Sequence, residues 1–376
     1  MKSPVVHIIL GAYYLFDEKR IVYGGVQTYF TNLMPLFQSR GYRCIVYQPG
    51  TVSGEVTLSH CELKGYDTSK IKSAEKQSEF ILKDILKTFD DTTDILLFST
   101  DVINCKNPVK RSISVQHGIY WDMPNHTEFT PQKNALFAFR KVFDTYQILT
   151  RNNYVKKIVC VDYNFLNWYK AVSAYQAVPM TVIPNFTPIA PVFEKPDDKV
   201  RIMFARRLRR YRGANIFADA MATLLPKYPN IELTIAGIGP EEAYMRKKLA
   251  GYENQVVFTQ YKAEDSLEIH KNKHIAVVPT VGSEGTSLSL LEAMSAQCAA
   301  VCTSVGGLSN IVIDEFNGLI VTPDADALSA SIERLVVDEN YRQELAMRGY
   351  ETVKHGFSYE KWKEKWLEVI DEVAAF

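Results

Sequence analysis

Short apolar runs rich in Val and Ile recur along the whole chain, and longer stretches with helical periodicity separate most of them. This alternation is the pattern of βαβ units in doubly wound parallel sheets. In the first half the predicted strands are 5–10, 44–48, 94–99, 112–116 and 157–161. Between the first two, residues 24–41 read as an amphipathic helix opened by Gly24 and Gly25 and closed by Gly41. The second half restarts the pattern, with predicted strands at 200–205, 231–237, 255–260, 274–280, 299–304 and 318–322. Residues 182–199 hold four prolines and several charges, which excludes a long helix and predicts a hinge. The chain ends in SYEKWKEKWLEVIDEVAAF, a helix with Trp362, Trp366 and Val369 on one side.

At 376 residues the chain exceeds the size at which one core stops growing, so two domains are expected, 1–185 and 186–357, with the last helix, 358–376, packing back on the first. Net charge is zero, with 47% hydrophobic and 23% charged residues, and no basic excess is available to bind nucleic acid. Residues 1–185 carry 21 Lys and Arg against 16 Asp and Glu. That mild bias suits an anionic acceptor or a membrane surface, and equally an uneven scatter of surface charge. Six cysteines in no regular spacing, and a beginning that lacks a signal-peptide pattern, predict a reducing, cytoplasmic setting. No apolar run is long enough to span a bilayer. His270 and His274 have helical metal-ligand spacing but no acidic companion between them, so no metal is expected.

Ligands of open parallel sheets bind beyond the carboxyl ends of the strands. Three loops there carry chemistry. RRLRRYRGA (206–214) puts five arginines in seven residues, and arginine's fixed fork of donors matches phosphate oxygens. A glycine-containing turn, 238–242, follows the next strand. Third, SEGTSLSLLEAMSAQ (283–297) places Glu284 in a strand-to-helix loop and Glu292 about a turn and a half into the helix. The helix entrance suits a phosphate, and a carboxylate farther along suits a ribose diol. Each feature also has an ordinary reading: solvated arginines, surface glutamates, and, for the Gly-Gly of SVGGLSNIV, a plain turn.

The run GSEGTSLSLLEAMSAQCAAVCTSVGGLSNIVIDEFNGLIVTPDA resembles the nucleotide-binding region of retaining glycosyltransferases of family 4, with signature E-G-x-x-L-x-x-x-E-A-M, a Gly-Gly turn and N-G-x-x-V-x-P-x-D. RRLRRYRGA is similar to that family's G-R-L…K-G segment, and IAGIGPEEAYMRKKL to its A-G-x-G-P turn. Gly24-Gly25 and VIPNF fit as well. The resemblance implies an α/β GT-B fold, two Rossmann-like domains facing across a cleft. It implies that Arg207 and Arg212 grip the diphosphate, Arg212 standing for the usual lysine. Glu292 would bind the ribose, and Glu284 the donor sugar, helped by backbone amides of Gly285, Thr286, Ser287 and Leu288. Gly237 and Gly239 would border the nucleotide, Gly24 and Gly25 would line the cleft, and His117 would lie beside the transferred sugar. Departures occur at Cys298-Ala299-Ala300, Asn310 and Gln260, where the pattern has Gly-x-Pro, an acid and glycine.

The implied reaction moves a hexose-type sugar from a nucleotide-diphosphate donor, UDP-linked in preference to GDP-linked, to a hydroxyl of a glycan or lipid-linked acceptor in cell-surface polysaccharide synthesis. Retention would follow front-face attack. Arginines and a helix terminus would carry the leaving charge, with no cofactor and no obligatory metal, and the chain is read as holding no Asp-x-Asp for a divalent ion. Residues 12–23 and 136–147, rich in aromatics, read either as acceptor or peripheral membrane contacts or as core and ordinary surface. A nicotinamide oxidoreductase lacks its G-x-G-x-x-G after the first strand. A non-catalytic glycan-binding or scaffolding protein on the same fold is the remaining alternative.

Overall fold

The computed structural model describes residues 3–22, 24–119, 131–173, 178–282 and 284–376; within these, the side chains of 131–134, 137 and 263 are left undescribed. The chain forms two compact units. The first includes residues 3–117, 131–173, 178–184 and 362–376, and the second includes 185–361.

In the first unit the order is β1 (Val5–Ile9), β2 (Tyr14–Leu15), β3 (Arg20–Ile21), α1 (Gly25–Ser39), β4 (Arg43–Gly50), β5 (Gly54–Leu58), β6 (Cys61–Asp67) and α2 (Ala74–Ile85). Then follow β7 (Ile95–Phe98), β8 (Ser112–Gln116), α3 (Pro131–Asn152), β9 (Lys157–Cys160), α4 (Tyr163–Val172) and β10 (Met180–Val182). The sheet runs β10-β9-β8-β7-β1-β4-β6-β5, parallel except for the edge pair of β5 and β6. All five strands expected in this half form, because their residues are buried on both faces of a covered sheet. Missing from the expectation were the short pair of β2 and β3, outside this sheet, and, within it, β5, β6 and β10. β5 alternates partly buried and exposed positions and β6 buried and partly buried ones, both in mixed, polar sequence with no continuous apolar run.

The second unit contains β11 (Val200–Ala205), α5 (Ala214–Leu224), β12 (Ile231–Ala236), α6 (Glu242–Lys248), β13 (Val256–Thr259), α7 (Ser266–His270), β14 (Ile275–Val278) and α8 (Leu288–Ser295). It continues through β15 (Ala299–Thr303), β16 (Leu319–Val321), α9 (Ala325–Val337) and α10 (Glu339–Gly356). Its sheet is wholly parallel in the order β13-β12-β11-β14-β15-β16. That order reverses between β11 and β14, and loops leaving those neighbours diverge to opposite faces, which opens a crevice at their carboxyl ends. One face is built of small residues: Ala205, Ala236 and Ala276 pack against Ala293, Ala296 and Cys298. With so little side chain between them, α8 can lie close on the sheet, and its amino end comes near the crevice. The opposite face holds the large core, where Phe204 and Phe217 stack with ring centroids 4.8 Å apart.

The closing helix α11 (Tyr359–Ala374) buries Trp362, Trp366, Val369, Ile370 and Val373. Its residues from Trp362 onward belong to the first unit. Trp366 is fully buried, and its ring N–H donates to the Tyr29 hydroxyl at 2.8 Å. Arg40 to Asp371 and Lys157 to Glu372 add ion pairs at the rim, each 2.7 Å at the closest approach. Burial of the indole stabilises the docked helix more than the Arg40–Asp371 pair does, since exposed ion pairs contribute little. Trp366→Ala should therefore destabilise the first unit by about 3–5 kcal/mol. Denaturant unfolding followed by fluorescence measures it, and Asp371→Ala should change the same midpoint far less.

Candidate functional site

The loops that leave β11 and β14 meet at the switch point through one carboxylate. Glu284 Oε2 accepts from Arg206 Nη2 at 2.7 Å, from the Thr280 hydroxyl at 2.8 Å, and from Arg212 Nη1. Arg206 Nη1 donates in turn to the Thr280 hydroxyl at 2.7 Å. The Arg206 and Glu284 side chains are only 7% and 10% exposed, whereas Arg212 is 26% exposed. Burial pushes the Glu284 carboxyl upward, but the two guanidiniums outweigh it and hold the group below its ordinary value. The carboxylate is thus charged at neutral pH.

Glycines make this meeting sterically feasible. Gly213, at φ +81°, ends the arginine turn and opens α5, and a Cβ there would sit 1.8 Å from the Pro279 carbonyl oxygen. Gly306, at φ +55°, would place a Cβ 2.2 Å from the Glu284 carbonyl oxygen. Its neighbour Gly307 donates its N–H to that same oxygen at 3.0 Å. The second Gly-Gly turn therefore grips the backbone of Glu284 itself. Gly237 and Gly239 act likewise beneath the arginine loop: added Cβ atoms would lie 2.1 Å and 2.2 Å from the carbonyl oxygens of Arg206 and Leu208.

Gly285, Thr286, Ser287 and Leu288 form the entrance to α8. Ser287 is the N-cap and makes no side-chain cap bond, and the first turn carries no acid. The bond from Leu291 N–H to Ser287 O is the first of the helical ladder, so the N–H groups before it lie outside that ladder. Asn185 steadies the approach by donating its amide to Thr286 O at 2.7 Å. Glu292, half-buried on α8, has its pKa raised to about 7 by burial, with a hydrogen bond from Ser266 pulling weakly the other way.

Arg207 is exposed on this loop. Its neighbour Arg206, with Thr280, is what the sequence reading missed. A signal existed: in G-R-L the position before Arg207 is glycine, and this chain has Arg206 there. Ser283, at the head of the SEGTS run, lies outside the described residues, as does Tyr23 of the 12–23 stretch. An Asp-x-Asp triplet does occur, contrary to the sequence reading, at Asp324-Ala325-Asp326. In the structure Asp324 caps α9 by accepting the Ala327 N–H at 2.9 Å. Among the described residues no His, Cys, Asp or Glu group is clustered for a metal, and all six cysteines are buried and free. His270 is buried against Ser266 O, and His274 Nδ1 accepts the Arg201 N–H at 3.0 Å, so both histidines have structural roles.

In the first unit, His117 follows β8. Its Nε2 donates to Ser99 O at 3.0 Å, and its ring packs edge-on against Tyr29 at 5.1 Å. Burial lowers its pKa to about 4, so the imidazole is neutral at pH 7. With the proton on Nε2, Nδ1 is left as an acceptor. Gly24 is the extended N-cap of α1 and Gly25 its first residue. Within 12–23, Tyr13 and Tyr14 are core, Tyr13 bonding Thr31 at 2.8 Å. The 136–147 stretch is different, since Leu136, Phe139, Val142, Phe143 and Tyr146 are each more than half exposed on α3.

Residues 185–352 match the sequence profile of the family Glycosyl transferases group 1. This chain is 30% identical over 168 residues to an uncharacterized glycosyltransferase of Methanocaldococcus jannaschii, a match covering 44% of this chain and 43% of that one. It is 28% identical over 160 residues to a D-inositol 3-phosphate glycosyltransferase of Corynebacterium urealyticum, covering 40% and 37%. The chain thus spans less than half the length of these two curated relatives. Sucrose-phosphate synthase from Thermosynechococcus elongatus has the same fold, with TM-score 0.76, 17% identity and 99% of both chains covered. So does Anabaena HepE in complex with UDP-glucose, with TM-score 0.69, 13% identity, and 98% of this chain and 99% of that one covered. Residues 185–352 are thus similar to the glycosyl transferases group 1 family, and the chain has the GT-B class of α/β fold.

The raised pKa of Glu292 yields a test that needs no ligand. A carboxyl titrating near 7 when folded and near 4.5 when unfolded costs stability as pH rises through that interval, because the folded state must then bury a charge. Glu292→Gln removes the cost. The melting temperature should rise on this substitution at pH 8 and change little at pH 5, as differential scanning calorimetry can show; an equal shift at both would contradict the raised value.

Proposed function

We propose that this protein is a retaining glycosyltransferase that takes a hexose-type sugar from a nucleotide-diphosphate donor. The observation that carries this reading is the convergence, at the switch point, of Glu284, Arg212 and the amino end of α8, whose Ser287 makes no side-chain cap bond. A pyrophosphate between them meets positive charge and backbone amide donors together. Arg207, exposed on the same loop, is available to the outer phosphate oxygens. Glu292 sits on the same helix and accepts the ribose hydroxyls once ionised. Glu284 faces the donor sugar with the carboxylate oxygen that its three donors leave open.

In the reaction the bond from the anomeric carbon to the β-phosphate oxygen breaks, and a bond from that carbon to the acceptor oxygen forms on the same face. The acceptor's proton passes to the departing phosphate oxygen. Arginines and amides stabilise the charge that develops there, which is the preorganised electrostatic contribution that dominates such catalysis. His117, neutral with Nδ1 open, orients sugar hydroxyls and takes no proton. A UDP-sugar is the favoured donor, a GDP-sugar the alternative; the complex of the Anabaena relative with UDP-glucose supports the former.

The acceptor is the hydroxyl of a glycan or a lipid-linked saccharide, as in cell-surface polysaccharide synthesis. The exposed apolar side chains of α3, with Arg140 beside them, support a peripheral contact at the cytoplasmic face of a membrane. No helix of the described residues is long and apolar enough to cross one.

Thermal shift against UDP-, GDP- and dTDP-sugars and NAD tests the donor class, since a ligand of the native state raises the melting temperature. A UDP- or GDP-sugar should give the largest shift. Arg212→Ala should cut nucleotide affinity by roughly ten- to a hundred-fold, the range expected for a lost charge-assisted hydrogen bond. Unchanged affinity in that variant, measured calorimetrically, would count against this assignment.

A further inference from the structure

Three donors share one oxygen of Glu284, and the two guanidiniums among them differ in how readily each can leave. Arg206 is held at both ends of its fork, Nη1 by Thr280 and Nη2 by Glu284, and its backbone carbonyl is pressed under Gly237. Arg212 is nearly four times as exposed and stands on the 3₁₀ turn closed by Gly213. A diphosphate arriving at the crevice competes with Glu284 for any guanidinium it can reach, and Arg212 is the one it can reach. If Arg212 were the sole counter-ion, its departure would strand a carboxylate in a nearly dry site, at the large cost of an uncompensated buried charge. Arg206 removes that cost. Its Nε is buried without a partner, so the guanidinium is not placed to satisfy its own hydrogen bonds; its fork is turned toward Glu284 and Thr280.

We infer that Arg206 is a positioning residue, the fixed counter-ion of Glu284, and that its presence releases Arg212 from Glu284 to the donor diphosphate. The inference rests on the donor-site reading above. Where the resembled motif has glycine, this chain carries a charge, and the carboxylate and the phosphate no longer depend on one guanidinium. Glu284 stays ionised and aimed whether or not a nucleotide is bound.

The test titrates UDP and GDP calorimetrically into the full chain near pH 8, where both are fully ionised, and follows the tighter of the two. Compared with wild type, Arg206→Met should weaken binding by about ten-fold or more, because Arg212 stays tied to Glu284. Arg206→Lys should recover most of the loss. The double variant Arg206→Met with Glu284→Gln should recover it too, since residue 284 then carries no charge to hold Arg212, and UDP and GDP carry no sugar to miss Glu284. Lowering the pH should narrow the gap between Arg206→Met and wild type as Glu284 takes up a proton. A purely structural arginine predicts otherwise: a lower melting temperature with unchanged nucleotide affinity, or a loss that Glu284→Gln leaves uncorrected, and either result overturns the inference. Should Arg206→Met fail to fold, Arg206→Gln, which removes the charge and keeps an amide donor for Thr280, carries the same test. Wild type that binds neither nucleotide, or Arg212→Ala that binds like wild type, sinks the donor-site reading and this inference together. Normal behaviour of those two with full affinity in Arg206→Met sinks this inference alone.

Discussion

A buried carboxylate with more positive charge around it than it needs is the constraint on which the second unit's crevice depends. Glu284 sits where loops from two neighbouring strands must diverge, and only strong attraction to Arg206 and Arg212 justifies taking three charged groups out of water. That attraction joins the β11 loop to the β14 loop. It also leaves the site with net positive charge from those three groups, which suits an anion.

Close backbone approach makes the charge arrangement possible. Gly213, Gly237, Gly239 and Gly306 each stand where a Cβ would fall within 2.2 Å of a carbonyl oxygen, and every one of those carbonyls belongs to a residue of the arginine loop, Pro279 or Glu284. Their work is to stack three loops without intervening side chains. The alanine layer beneath α8 does the same on the sheet face and brings the amino end of that helix alongside. Glu292 bears a cost of this compactness, a carboxyl driven up to about 7 on the same helix. Such a cost is common at sites kept for function rather than stability.

Most of the scaffold was legible. Strands buried on both faces announce themselves as unbroken apolar runs, and Gly or Pro punctuates their ends. The edge hairpin of β5 and β6 was not legible, because half-exposed strands in polar sequence look like loop. In 12–23, Tyr13 and Tyr14 turned out to be core, while Phe139, Phe143 and Tyr146 of the 136–147 stretch turned out to be exposed; aromatic content could not separate the two, since burial depends on what a helix or ribbon meets.

The sequence by itself determined the α/β class and placed Glu284, Glu292 and the arginine cluster at the loops and helix that follow β11 and β14. Which arginine turns inward was decided only by the tertiary structure. Neighbours at the end of a strand have the same composition and opposite directions, and Arg206 faces Glu284 because the strand order reverses between β11 and β14, bringing together residues 78 positions apart. Charge and spacing along a chain fix which groups exist. The folded sheet fixes which of them share one oxygen.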